Sequence, residues 1–417
     1  MSILVIDNGA GNIKAGLDHF EQPLSIANVS GKIPKSMQYL VSDQVYDSRS
    51  DSQLSLSRPY DRGYLTNWQC EIDIWTYLLN QPTLKGLNAS ESSLVLTEPP
   101  LNPVSLQNDA NEVVFEYFGF KEYVRRPAAW FSMYEFSHNE EWNKEGLNSC
   151  TVVDSGFSFT HSLPFINQLC QKPAIRRVNV GGKLLTNYLK ELVSYRQWNM
   201  MDEFLLMNQV KENLCYVSSD FLGELTASKV VKGKRSRGQE KREPLDWLGG
   251  KLRKSFVLPD FQKVMKGFVK PDEEGPVEDE QILMMETERF TVPELLFNPS
   301  DIEIDQAGVA EATWQSLQAL DPVPQGLAAS AIILTGGNAS IPQYLERFRA
   351  ELRPFVPDTY PVEVYLPQSP ELYAWLGAAR FAQNQRASKS LQKHMVTKAQ
   401  FMEYGSAYCN EKFASGW

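Results

Sequence analysis

Histidine is scarce in this chain, with four in 417 residues, and the five cysteines (Cys70, Cys150, Cys170, Cys215, Cys409) stand singly, without a Cys-x-x-Cys pair. The first shortage argues against a multi-histidine metal centre, the second against a zinc knuckle or a disulfide framework. An odd number of scattered thiols suits a reducing compartment, cytosol or nucleus. No run approaches the ~18 apolar residues of a membrane span. The N-terminus lacks the charged stretch and apolar run of a secretory leader, because Ile3-Leu4-Val5-Ile6 reads directly as a strand. A soluble, intracellular protein with no membrane contact is expected. Positive charge is also in deficit, the formal net charge being −10. Bulk electrostatic attraction to DNA or anionic lipid is thereby excluded, and any such contact has to come from a local basic patch.

What is present is an ordinary globular composition, 42% hydrophobic and 22% charged, long enough for two or three folding units at ~150 residues each. Short apolar runs end in an acid and a glycine turn. Ile3-Leu4-Val5-Ile6-Asp7-Asn8-Gly9-Ala10-Gly11 is one, and Thr151-Val152-Val153-Asp154-Ser155-Gly156 is another. Each reads as a buried strand followed by a tight turn, where glycine lets backbone approach a ligand closely. Ala331-Ile332-Ile333-Leu334-Thr335-Gly336-Gly337-Asn338 is a third strand running into a glycine turn. Amphipathic patterns over 181–195, 205–217 and 341–352 predict helices between them. Strands alternating with helices indicate an α/β fold. Two glycine-turn hairpins half a chain apart suggest a duplicated domain around a cleft, and inward-pointing amides there suit an adenine nucleotide.

Residues 228–254 break this pattern. Lys229, Lys232, Lys234, Arg235, Arg237, Lys241, Arg242, Lys251, Arg253 and Lys254 face only Glu240, Glu243 and Asp246, and an acidic stretch (Asp272, Glu273, Glu274, Glu278, Asp279, Glu280) follows. Blocks of like charge read as loops inserted on a folded body.

The chemistry-bearing residues are Asp7 and Asp154, two strand-end carboxylates suited to a hydrated divalent ion, and Lys14, spaced to reach phosphate from the first hairpin. Taken alone they also fit ordinary strand-end turns. A collinear set of motifs adds to this reading. Leu4 to Gly16, Leu65-Thr66-Asn67-Trp68, Leu96-Thr97-Glu98-Pro99-Pro100-Leu101-Asn102-Pro103, Val153-Asp154-Ser155-Gly156, Val210 to Val217, Pro293 to Ser300, Thr335-Gly336-Gly337 and Tyr373-Ala374-Trp375-Leu376-Gly377 together resemble the actin family along nearly the whole chain. The resemblance implies an actin-like, duplicated ribonuclease H-like fold, two large domains of two subdomains each around a nucleotide cleft. Subdomain 1 would take 1–28, 58–147 and 373–417, and subdomain 2 would take 29–57. Subdomain 3 would take 148–178 and 296–372, and subdomain 4 would take 179–295 with charged insertions at 228–254 and 263–280. It implies ATP with Mg2+: Asp7 and Asp154 holding the cation through water, Lys14 on the phosphates, and backbone amides around Gly9, Gly11, Ser155 and Gly156 cradling them. Gly182, Lys211, Glu212, Gly336 and Gly337 would line the adenosine end.

Departures from the family pattern bear on activity. In this comparison Tyr134 stands where actin carries the glutamine that positions the attacking water, which implies weak or absent hydrolysis. Ala10 replaces a serine, Phe157-Ser158 an Asp-Gly pair, Ile341 a tyrosine and Glu371 a lysine. Two states of the cleft stay open: ATP kept as a structural clamp between the halves, or a degenerate, empty cleft. Val41 to Ser57 is polar and short where the family has a filament contact, so a non-polymerising monomer is expected. Tyr195-Arg196-Gln197-Trp198-Asn199-Met200-Met201-Asp202-Glu203 and Phe256-Val257-Leu258-Pro259-Asp260-Phe261 resemble a nuclear class of actin-related proteins. That class serves as a structural subunit of a Swr-type remodeller, which exchanges a core histone for its variant. Implied partners are the motor subunit, a zinc-finger subunit and the nucleosome, with DNA phosphate contact through 229–254, nuclear import or a merely solvated loop as readings of the basic stretch. The implied location is the nucleus, with some protein in the cytoplasm. The alternative is a cytoplasmic actin-like ATPase of a cytoskeletal complex.

Overall fold

The computed structural model describes residues 2–33, 38–46, 54–143, 146–233, 252–260, 264–271 and 280–414. Two sheets carry the same local plan. In the first, Ile3–Asn8 turns back as Asn12–Leu17, with Leu24–Ala27 beyond it. On its other side Ile3–Asn8 runs parallel to Ser93–Glu98, then Glu122–Pro127, with Val396–Thr397 at the edge. In the second, Cys150–Ser155 turns back as Thr160–Ile166 and runs parallel to Ile332–Thr335, then Val364–Tyr365. A hairpin whose first strand also heads a parallel pair thus occurs twice. The actin-like architecture implied by the motifs is the one observed, a mixed α/β fold with two such halves. The central strands are apolar without alternation because helices cover both faces of each sheet.

The helices Ala128–Ser137 and Tyr373–Ala387 pack against each other between the sheets. Gly377 permits this approach, since a Cβ there would overlap the Phe131 carbonyl. Glu135 takes both prongs of Arg380, at 2.7 and 2.8 Å, and Trp375 Nε1 donates to the Val5 carbonyl at 3.2 Å. Successive side chains of a strand point to opposite faces. Accordingly Val152 and Ile333 join the core shared with the first sheet, while Val153, Ile332 and Leu334 join a second core. The second core includes Leu185, Val210, Leu317 and Phe348, carried by the helices Gly182–Arg196, Phe204–Leu214, Val309–Gln318 and Tyr344–Leu352.

The predicted helices form with shifted ends. The last starts at Tyr344 rather than Ile341, because Ile341 precedes Pro342 and is extended (φ −63°, ψ 129°). Two small sheets flank the cleft: Ser30–Ile33 between Gln38–Val41 and Ser55–Ser57, and Lys254–Val257 between Phe268–Val269 and Ile282–Met285. Both expected insertions are therefore partly regular structure. The helix Phe221–Gly233 runs into the first, Lys254 opens a strand, and 264–271 includes the Phe268–Val269 strand. Lys270 is buried and pairs with Glu280. Lys234, Arg235, Arg237, Lys241, Arg242, Lys251 and the acidic 272–279 lie outside the described residues. Among the described residues no helix is long and apolar enough to cross a membrane.

Candidate functional site

A cleft of about 1060 Å³ separates the two hairpins. Asp7, Gly9, Gly11, Lys14, Asp154, Gly156, Gly182, Lys211, Glu212, Gly336 and Gly337 all line it, although 330 residues separate the first from the last in the chain. Ser155 does not. It is fully buried behind the hairpin, where its Oγ is bonded to Thr160 Oγ1 at 2.7 Å and accepts from Asn338 Nδ2 at 3.1 Å.

Strand register builds the acidic end. The antiparallel pair places Lys14 opposite Asp7, and the ammonium meets Asp7 Oδ2 at 3.0 Å. Asp7 Oδ1 accepts from Thr97 Oγ1 at 2.8 Å, and that hydroxyl oxygen accepts from the Asn8 amide at 2.8 Å. Asn8 is fixed in turn by Trp75 Nε1 and the Tyr60 hydroxyl. Asp154 reaches the cleft from the second hairpin. Burial first, then the nearby Asp7 charge, push its carboxyl up to about 6, against the pull of Lys14. Two carboxylates and one ammonium leave an unbalanced negative charge at this end.

Gly336 and Gly9 are steric requirements of the site. Gly336 has φ +87° and ψ 162°, backbone that suits only glycine, and a Cβ there would overlap the Ser155 carbonyl. At Gly9 a Cβ would sit 2.6 Å from the Asn12 carbonyl oxygen. The other end of the cleft is polar. Lys211 Nζ donates to the Gly182 carbonyl, Thr186 Oγ1 and Asn208 Oδ1 at 3.1, 3.0 and 2.9 Å. Its three donors are thus committed to the Gly182–Arg196 helix and to its own turn, and burial lowers its pKa. What Lys211 offers the cleft is its stem rather than a free ammonium. Glu212 accepts from Asn208 Nδ2 at 2.8 Å, and Glu371 from Ser340 Oγ at 3.2 Å.

Residues 1–414 match the family described as Actin. The chain is 35% identical over 444 residues to "Actin-related protein 6" of Oryza sativa subsp. indica, which covers 99% of this chain and 98% of that protein. It is 35% identical over 441 residues to the Arabidopsis thaliana protein of that name, and 34% over 418 residues to the Drosophila melanogaster one, with 99% of each chain covered in both comparisons. The chain belongs to the actin family.

One family-based expectation needs correction. Tyr134 is not at the cleft. It is 6% exposed on the buried side of the Ala128–Ser137 helix. There its ring stacks on Trp130 with centroids 5.5 Å apart, lies edge-on to Phe381, and its hydroxyl accepts from Asn384 at 3.1 Å. The residue of this helix that lines the cleft is Ala128, nearly two turns earlier. A side-chain amide for orienting water is therefore missing there, but because Ala128 is apolar rather than because Tyr134 is bulky. Sequence reasoning also passed over Thr97, Arg58 and Tyr60 as site residues, although Thr97 lies inside a quoted motif. They come from strands and loops whose approach depends on tertiary folding.

The residues present fit the nucleotide that actin-family proteins typically bind. Glycine turns that bring backbone to the cleft wall, Lys14, and two converging carboxylates make a donor set for a phosphate–cation pair. Among the described residues no cluster of three or more His, Cys, Asp or Glu gathers for a metal. Asp7 and Asp154 alone suit a cation that keeps most of its water, and such an ion would supply the opposite charge that Asp154 lacks.

Proposed function

We propose that this actin-related protein is a non-polymerising nuclear subunit of a chromatin remodelling complex that exchanges a core histone for its variant. It scaffolds a zinc-finger partner against the motor subunit and helps engage the nucleosome. ATP with Mg2+, held by Asp7, Asp154, Lys14 and the glycine turns, acts as a structural clamp and is hydrolysed weakly or not at all. The observation that carries the clamp reading is the pairing of a retained phosphate–cation end with Ala128, which has no polar atom beyond its backbone, on the helix that faces it. Full-length similarity to proteins named actin-related protein 6 supports the assignment to the nuclear class.

The test is affinity purification of the tagged chain from nuclear extract, with partners identified by mass spectrometry. Recovery of a Snf2-type motor subunit, a zinc-finger subunit and histones is expected. Recovery mainly of cytoskeletal or motor-adaptor proteins would favour the cytoplasmic ATPase reading instead. The basic stretch is tested separately: Lys232, Lys234, Arg235 and Arg237 changed to Ser should weaken nucleosome binding or nuclear import, and no change in either assigns the stretch to solvent.

A further inference from the structure

The second hairpin carries two aromatic residues, Phe157 and Phe159, and both reach the opposite lobe. The Phe157 side chain lies against the first hairpin, where a Cβ at Gly11 would sit 3.1 Å from its Cβ, Cγ and Cδ2 atoms. Phe159 packs on Gly63, in the turn between Tyr60–Asp61 and Tyr64–Leu65, and a Cβ there would overlap its ring. Arg58, also on the first lobe, donates to the Asn28 carbonyl at 3.0 Å. Its guanidinium lies over Phe157, 4.5 Å from the ring centroid, and over Phe204, 5.4 Å away, both on the second lobe. A cation held over two ring faces is attracted by their quadrupoles, more strongly where water is partly excluded. A fourth contact lies nearby. Val29, just before the strand Ser30–Ile33, and Val45, in the short helix Asp43–Tyr46, share an apolar cluster with Leu205 of the facing helix.

We propose that these contacts form a lock that holds the two lobes closed by the chain's own side chains, whether or not the cleft is loaded. Closure then does not have to be supplied by a ligand, because apolar and cation–π contacts across the cleft already favour it. A ligand that binds an already closed cleft stabilises the fold without moving its lobes, since it shifts an equilibrium only by its preference for one state over the other. The outer surface accordingly keeps one shape through any change of nucleotide.

The test is the distance between spin labels placed by Lys32→Cys on the first lobe and Leu222→Cys on the second. Both positions are exposed and the five native cysteines are buried. The chain stripped of nucleotide and metal should give one narrow distance distribution, unchanged on adding Mg-ATP. In the same ligand-free state, Phe157→Ser combined with Phe159→Gly should broaden and lengthen it. Arg58→Gln, which keeps both rings, should do so to a smaller degree and serves alone if the double variant fails to fold. A broad or long distribution in the ligand-free parent overturns the proposal, as does an unchanged one in folded Arg58→Gln and folded double variant alike.

Discussion

Asp154 and Glu71 are acids kept where their charge is poorly received. Asp154 is pushed up to about 6 by burial and by Asp7, and Glu71, fully buried behind the first hairpin, is pushed up to about 7 by burial. Glu71 Oε1 accepts from Trp75 Nε1 at 3.0 Å, while its Oε2 has no hydrogen-bond partner among the described groups. A carboxyl whose folded pKa lies above its unfolded one binds protons on folding, so the stability it adds is present at low pH and lost as pH rises. Urea unfolding of the ligand-free chain should therefore show stability falling from about pH 4 to about pH 8 on account of these two groups. Glu71→Gln should flatten the upper part of that slope and Asp154→Asn the lower, and variants that leave the slope unchanged would refute the assignment. At the same scale, Ala128→Gln should raise steady-state ATP turnover by restoring an amide at the cleft. Tyr134→Gln should leave turnover unchanged and lower stability by about 3 kcal/mol, as for other large aromatic-to-smaller core changes. A rise with Tyr134→Gln and none with Ala128→Gln would put Tyr134, not Ala128, at the reacting end of the cleft.

At the scale of elements, the run Tyr195 to Glu203 gains a physical role. It begins in the last turn of the Gly182–Arg196 helix and then covers the outer edge of Ile282–Met285, the last strand of its small sheet. Gln197 donates to the Met284 carbonyl at 2.6 Å and accepts from the Met284 amide at 2.9 Å, imitating a neighbouring strand, and Trp198 Nε1 donates to the Ile282 carbonyl at 3.4 Å. An uncovered edge invites pairing with another chain. Gln197→Ala should thus promote concentration-dependent association in sedimentation velocity, while the parent stays monomeric under the same conditions. Equal behaviour of the two would show the edge to be protected by something else. The helix Phe221–Gly233 and the strand Lys254–Val257 show how charge misleads here: Lys229, Lys232 and Lys254 read as loop because lysines dominate the window, yet backbone pairing and a helical turn accommodate them.

For the whole molecule, the cleft joins distant parts of the chain, so a ligand that bridges them stabilises the folded state by mass action. At a hundred times its Kd the gain is about 2.7 kcal/mol. Mg-ATP should raise the melting midpoint, EDTA should cancel part of the rise, and Asp7→Asn or Lys14→Ala should reduce it. A midpoint indifferent to Mg-ATP would leave the empty-cleft reading. With the lobes locked, the same experiment should show no change in the radius of gyration by small-angle scattering.

Local pattern was enough to recognise the strands, the glycine turns and the paired acids, because a buried strand ending in Asp and Gly is written in consecutive residues and its register brings Lys14 opposite Asp7. The motif match extends this to the fold, and Asp7, Lys14, Asp154 and the glycines are legible in it as cleft residues. Side-chain direction was not legible in the same way. Ser155 faces the core, Lys211 spends its donors on its own helix pair, Tyr134 packs behind the cleft and Ala128 faces it, since helical phase and packing of the two central helices decide which residue of a motif points where. The contacts of Phe157, Phe159 and Arg58 depend on segments far apart in the chain, and only the closed arrangement of the two lobes brings them together.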